Sequence, residues 1–227
     1  MLRIEKLNKT YSNGVHAVKD LDLTLSGGQI YIMLGANGAG KTTTLMLALG
    51  FAEPTSGRIL INDVDINKEP LKAKKHVSYV SENVQLYGNF TAIQNLDFFA
   101  RVGGRPDISR KEVIETLVRV GLPEETHDRQ VKGYSKGMRQ RLGIAIAIVR
   151  QTGLILLDEP TSGLDPKGGQ EFVSLLHQLR AEGKAILMTT HDIFRAKELA
   201  DHLGIMVRGS LAVTRSREEL VNENLEQ

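Results

Sequence analysis

The sequence has no cysteine, which excludes a disulfide framework and any thiolate chemistry. A reducing compartment agrees with that absence. Long apolar runs are missing too. The longest tract, Leu142 to Val149, contains a glycine and falls well short of the ~18–20 residues of a membrane-spanning helix. Any role at a membrane is therefore expected to come through a partner. Nor is there an excess of one charge. Lys plus Arg number 29 and Asp plus Glu 27, a formal net charge of +2, too even to argue for nucleic acid on electrostatics. The start, Met1-Leu2-Arg3-Ile4-Glu5, alternates like a strand and shows no apolar signal-peptide core. Internal repeats and low-complexity stretches are likewise lacking.

What is present is a chain of 227 residues, 41% of them apolar, enough for one large domain or two small lobes around a real core. Its organising stretch is Gly35-Ala36-Asn37-Gly38-Ala39-Gly40-Lys41-Thr42. An apolar run, Gln29 to Leu34, precedes it and reads as a strand. Thr43 to Leu49 follows, reading as a helix stopped by Gly50. Strand, glycine loop and helix form the context that G-x-x-x-x-G-K-[ST] requires of a phosphate-binding loop. Glycines let the backbone N–H groups of Asn37 to Thr43 turn inward as an anion nest. The helix adds the positive end of its dipole. Lys41 can reach terminal phosphates, and the Thr42 hydroxyl suits Mg²⁺, a hard ion that takes oxygen ligands.

Around this loop the pattern predicts an α/β protein. Residues 2–7 and 21–25 alternate as half-buried strands, and 57–62 and 77–80 are further strands. Residues 84–150 turn helical. Thr91 caps one helix, Ser109-Arg110-Lys111-Glu112 reads as a capping box for a second, and a third runs from about Ser135 to Arg150. Strand-like runs return at Leu154–Leu157 and Ala185–Met188. Between them Phe172, Leu175, Leu176 and Leu179 mark one face of a helix. A helix is expected over 192–201, a hairpin around Arg208-Gly209-Ser210, and a short charged tail helix after Ser216. Buried strands alternating with helices imply a mostly parallel sheet with helices on both faces.

A second constellation follows Leu154–Leu157: Asp158-Glu159-Pro160. In such sheets ligands sit beyond the carboxyl ends of the strands, which brings these carboxylates toward the phosphate loop. One can support Mg²⁺; the other can act as general base on a water. His191 leaves a strand at the same edge, placed for a terminal-phosphate contact.

With these residues in view, the chain resembles the ATP-binding subunit of an ATP-binding-cassette (ABC) transporter over residues 2–215. Tyr134-Ser135-Lys136-Gly137-Met138-Arg139-Gln140-Arg141 stands where that family carries its signature, and Ser162-Gly163-Leu164-Asp165 where it carries its D-loop. His191 matches the switch histidine and Tyr11 the aromatic that stacks on adenine. The resemblance implies a P-loop NTPase (RecA-like) core with an N-terminal antiparallel β subdomain. Residues 1–83 and 151–215 would form the body, 84–150 an inserted α-helical subdomain, and 216–227 a tail. It implies ATP and Mg²⁺ as cofactors, with Glu159 as base and Lys41 and His191 on the phosphates. Thr42, Glu82 and Asp158 would face the metal. It further implies a head-to-tail dimer of two ATP-binding subunits, in which Ser135, Gly137 and Asp165 of one meet the nucleotide of the other. Membrane subunits would be the partners, at the cytoplasmic face, with Leu86-Tyr87-Gly88-Asn89-Phe90 lining the groove for a partner helix.

Two departures stand out. Glu82 occupies a position where the family usually has glutamine, with Leu86-Tyr87 fixing the register so that Gln85 is not the match. Its carboxylate is expected to add repulsion toward ATP when metal is absent. Lys136 replaces the signature's first glycine and Met138 its glutamine, with Lys136 left between a phosphate and solvent. This signature resembles the export-type branch. A GTPase reading lacks the Asn-Lys-x-Asp motif. A soluble ABC-type ATPase acting on nucleic acid or ribosomes, and an ATP-binding module without turnover, remain as alternatives.

Overall fold

The structure, a computed structural model, describes residues 1–222. It begins with two strands, β1 (Leu2–Thr10) and β2 (His16–Leu25), both longer than their alternation predicts. The reason is a bulge in each. Lys6 and Asp20 take positive φ, and the β1–β2 register slips between Ile4 and Leu7. The Lys6 N–H donates to Asp22 and the Asp20 N–H to Asn8. A bulge shifts the pleat by one residue, so period-2 reading stops there while pairing continues.

Next come β3 (Ile30–Leu34) and α1 (Lys41–Ala48), then β4 (Ser56–Ile61), β5 (Val64–Asp65), α2 (Pro70–Lys74) and β6 (Val77–Val80). The helical stretch follows: α3 (Ala92–Val102), α4 (Arg110–Arg119) and α5 (Lys136–Val149), with two 3₁₀ turns between the last two. Thereafter strands and helices alternate: β7 (Leu154–Asp158), α6 (Pro166–Ala181), β8 (Ala185–Thr190), α7 (Ile193–Leu199). A hairpin of β9 (His202–Val207) and β10 (Ser210–Ser216) leads to α8 (Arg217–Asn222). The remainder of the expected tail, 223–227, lies outside the described residues.

Two sheets result. One is antiparallel, in the order β2-β1-β4-β5; the other has the order β10-β9-β3-β8-β7-β6. In the second sheet every neighbouring pair is parallel except β10 with β9. Its central strands are buried on both faces, as parallel strands under helices must be. Ile30, Ile32, Ile155, Leu157, Ile186 and Met188 point into a core shared with the helices. Tyr31, Met33, Leu154, Leu156, Ala185 and Leu187 point the other way, onto α1 and the antiparallel sheet. The P-loop NTPase architecture expected from the sequence is thus met.

The caps hold with one change. Thr91 accepts from the Gln94 N–H in a full capping box, and Ser135 and Asp165 cap α5 and α6. Ser109 accepts from the Glu112 N–H, but the Glu112 side chain does not return to close the box. It pairs instead with both carboxylate oxygens on Arg105, at 2.9 and 3.0 Å. A charge-assisted pair outcompetes a neutral backbone donor.

Candidate active site

Strand order decides where the chemistry collects. β3, β8 and β7 are neighbours, with Leu34 opposite Thr190 and Thr189 opposite Asp158. The chain therefore leaves the sheet at one edge three times: into the glycine loop, into Glu159 and into His191. Gly40 sits at φ +109, and a Cβ there would stand 2.2 Å from the Ala17 carbonyl oxygen. Only a residue without a Cβ fits there, which lets the loop turn tightly enough for α1 to begin at Lys41. The buried Lys41 ammonium donates to the Gly35 and Ala36 carbonyls at 2.6 and 3.2 Å.

The two carboxylates have different surroundings. Asp158 Oδ1 accepts from Thr42 Oγ1 at 3.3 Å and from Thr189 Oγ1 at 2.6 Å. The Tyr79 hydroxyl faces it as well; burial, then the Asp158 charge, push that phenol up to about 12. Glu159, at positive φ, aims the other way. Its Oε2 meets His191 Nδ1 at 3.0 Å and its Oε1 lies 3.5 Å from Lys41 Nζ. Oε1 is buried without a hydrogen bond, its charge met by the Lys41 ammonium.

Tyr11, Asn37 to Thr43, Glu82, Asp158 and Glu159 line one cavity of about 680 Å³. Tyr11 is 40% exposed at its rim, with Lys9 Nζ 5.1 Å from the ring centroid. His191 reaches the site through Glu159. Ser135, Gly137 and Asp165 lie apart from it, in a second cavity of about 590 Å³. Sequence reasoning missed Lys19 and Arg208, which also line the first cavity. Neither sits in a motif, although Arg208 lies in the expected hairpin turn. It also missed Thr189 and the Ser162 hydroxyl. Lys136, expected between a phosphate and solvent, pairs its ammonium with Glu82 at 3.2 Å.

The donor set fits Mg²⁺. Thr42, Asp158 and Glu82 offer hard oxygens along the same cavity. Among the described residues no three carboxylates or imidazoles converge as a self-sufficient metal cage. Mg²⁺ asks for no such cage, since it keeps water and shares substrate phosphates.

The family model described as ABC transporter matches residues 18–162. The chain belongs to the ABC transporter family. It is an ABC-type ATPase, the ATP-binding subunit of a transporter. The Nod factor export ATP-binding protein I of Cupriavidus metallidurans is 34% identical over 99% of this chain and 74% of its own. The cbiO1 structure from Clostridium perfringens, described as part of the ABC transporter complex cbiONQ, is 31% identical. It superposes with a TM-score of 0.87 over 98% of this chain and 90% of that one. The cassette MJ0796, a dimer in a post-hydrolysis state bound to ADP and Pi, is 26% identical, with a TM-score of 0.87 over 96% and 99% of the two chains. No described helix of this ABC ATPase is long and apolar enough to cross a membrane.

Proposed function

We propose that this ATPase works as a homodimer that closes head to tail around two ATP molecules and drives export through separate membrane subunits. The observation that carries the catalytic part is Glu159, held between Lys41 and His191 with one buried oxygen unbonded. Tyr11 stacks on the adenine. The loop amides from Asn37 to Thr43 and the Lys41 ammonium cradle the phosphates. Thr42, Asp158 and Glu82 hold Mg²⁺, which when bound offsets phosphate charge. Glu159 takes a proton from water as its oxygen attacks the terminal phosphorus, and His191 steadies the phosphoryl group.

Ser135 and Gly137 then serve the partner copy. Ser135 caps α5 and accepts from the Met138 N–H at 3.2 Å, so the positive end of that helix faces the second cavity, where an incoming phosphate would be met. Asp165 lines the same cavity. A dimeric arrangement is supported by the MJ0796 likeness, membrane subunits by the cbiO1 likeness, and direction by the Nod factor export relative. In this reading residues 84–150 form the lobe that moves, and Leu86 to Phe90 receive the membrane partner. The protein itself is peripheral, at the cytoplasmic face, and contacts with the transported substrate belong to the membrane subunits.

The test is Glu159→Gln. ATP binding is expected to persist while turnover falls ~10²–10⁴-fold, the range of a general base. Wild-type turnover in that variant would remove Glu159 from the role.

A further inference from the structure

Both departures from the family pattern meet in one contact. Lys136 Nζ lies 3.2 Å from Glu82 Oε1, and the same carboxylate oxygen accepts from Ser162 Oγ at 3.2 Å. The Lys136 arm runs over Gly163, whose added Cβ would stand 3.6 and 3.8 Å from its Cδ and Nζ. The backbone is fastened as well. Gln140, fully buried one turn along α5, donates to the carbonyls of Ser81 and Glu82 at 3.1 and 2.7 Å. Glu82 also lines the cavity that holds the phosphate loop.

We infer that Lys136 is a positioning residue for Glu82: its ammonium neutralises and parks that carboxylate at the edge of the nucleotide cavity, and Mg²⁺ arriving with ATP must displace it. This rests on the reading of the cavity as an ATP–Mg²⁺ site. A bare carboxylate beside phosphates repels them, so an unpaired Glu82 would weaken metal-free binding. A cation at the first residue of α5 is itself disfavoured by the helix dipole, and the pairing offsets that cost. The Lys136 contact is also the main cause holding the Glu82 carboxyl below its ordinary range. Lys136 and Mg²⁺ therefore compete for one oxygen, and each departure makes the other tolerable. The repulsion expected of Glu82 alone is cancelled within the same subunit.

The experiment is ATP binding to the full chain, with chelator and across a Mg²⁺ titration, for Lys136→Met, Lys136→Arg and both in a Glu82→Gln background. Lys136→Met should bind ATP more weakly without metal and need less Mg²⁺ for half-maximal binding. Each shift should be on the order of two- to fivefold, the size that an exposed charge pair commands. Lys136→Arg should stay near wild type, and in Glu82→Gln the Lys136→Met change should do nothing. An equal shift in the Glu82→Gln background would show Lys136 acting on the nucleotide directly and overturn the inference. So would no shift in either. Loss of ATP binding by the unmutated chain would instead overturn the nucleotide reading and this inference with it. Melting temperatures alongside identify any variant that fails to fold, for which Lys136→Gln substitutes.

Discussion

The Thr189 hydroxyl donates to Asp158 Oδ1 at 2.6 Å, from a position with no solvent exposure. The Thr189 hydroxyl oxygen in turn accepts the Glu159 N–H at 3.2 Å. One side chain on β8 therefore sets both the Asp158 carboxylate and the backbone of the next residue, which sits at φ +45. Thr189→Val keeps the shape and removes the hydroxyl. Turnover is expected to fall by about tenfold, what ~1.4 kcal/mol of lost positioning amounts to, with ATP affinity little changed. Thr189→Ser should restore it. Steady-state kcat and KM on the three proteins decide; equal kcat for Val and Thr would show that Asp158 holds its place unaided.

Two loop glycines at positive φ should respond differently to alanine. At Gly40 an added Cβ would stand 2.2 Å from the Ala17 carbonyl oxygen and 2.8 Å from Met206 Cε; at Gly38 nothing lies within 4 Å. Gly38→Ala should cost only backbone strain, ~1–2 kcal/mol. Gly40→Ala adds a clash with backbone and should cost about 3 kcal/mol or more. Urea unfolding measures both, and similar losses would refute the distinction.

Tyr87 and Phe90 are 48% and 38% exposed, yet they belong to one aromatic cluster, Tyr87 stacked on Phe99 and both rings edge-on to Phe98. The Tyr87 backbone is held by the buried Asn95 side chain at 2.9 and 3.1 Å, independently of the ring. Tyr87→Ala and Phe90→Ala are therefore expected to fold and bind ATP. In a pull-down from detergent-solubilised membranes they should lose a multi-span partner that wild type retains. Retention with full yield would place the membrane contact elsewhere.

His177, on α6, is held below its ordinary value of 6.5, first by burial and then by the Arg217 and Arg180 charges. The folded form thus disfavours the proton. The stability this contributes is complete above pH 6.5, the unfolded value, and is lost as pH falls from there through the lower folded value. Tm should drop more between pH 7.5 and 5.5 for wild type than for His177→Gln. An identical drop would mean that His177 binds its proton equally in the folded and unfolded states.

The sequence by itself determined whatever depends on neighbours a few residues apart. The spacing of Gly35, Gly40, Lys41 and Thr42 defined the phosphate loop. Thr91 with Gln94, and Ser135 before α5, declared helix starts, because a cap is made within one turn. Apolar runs such as Leu154–Leu157 announced strands buried on both faces. Where the local rule had a stronger distant competitor, it failed: Glu112 left its capping box for Arg105, and bulges at Lys6 and Asp20 hid the true lengths of β1 and β2. Only the tertiary structure decided which loops share an edge. The order β3-β8-β7 and the pairing of Asp158 with Thr189 follow from sheet packing, and they bring Lys41, Glu159 and His191 into contact. Glu82 and Lys136, 54 residues apart, read as two separate departures along the chain. They become one ion pair because α5 packs against the end of β6, and no local pattern encodes that approach.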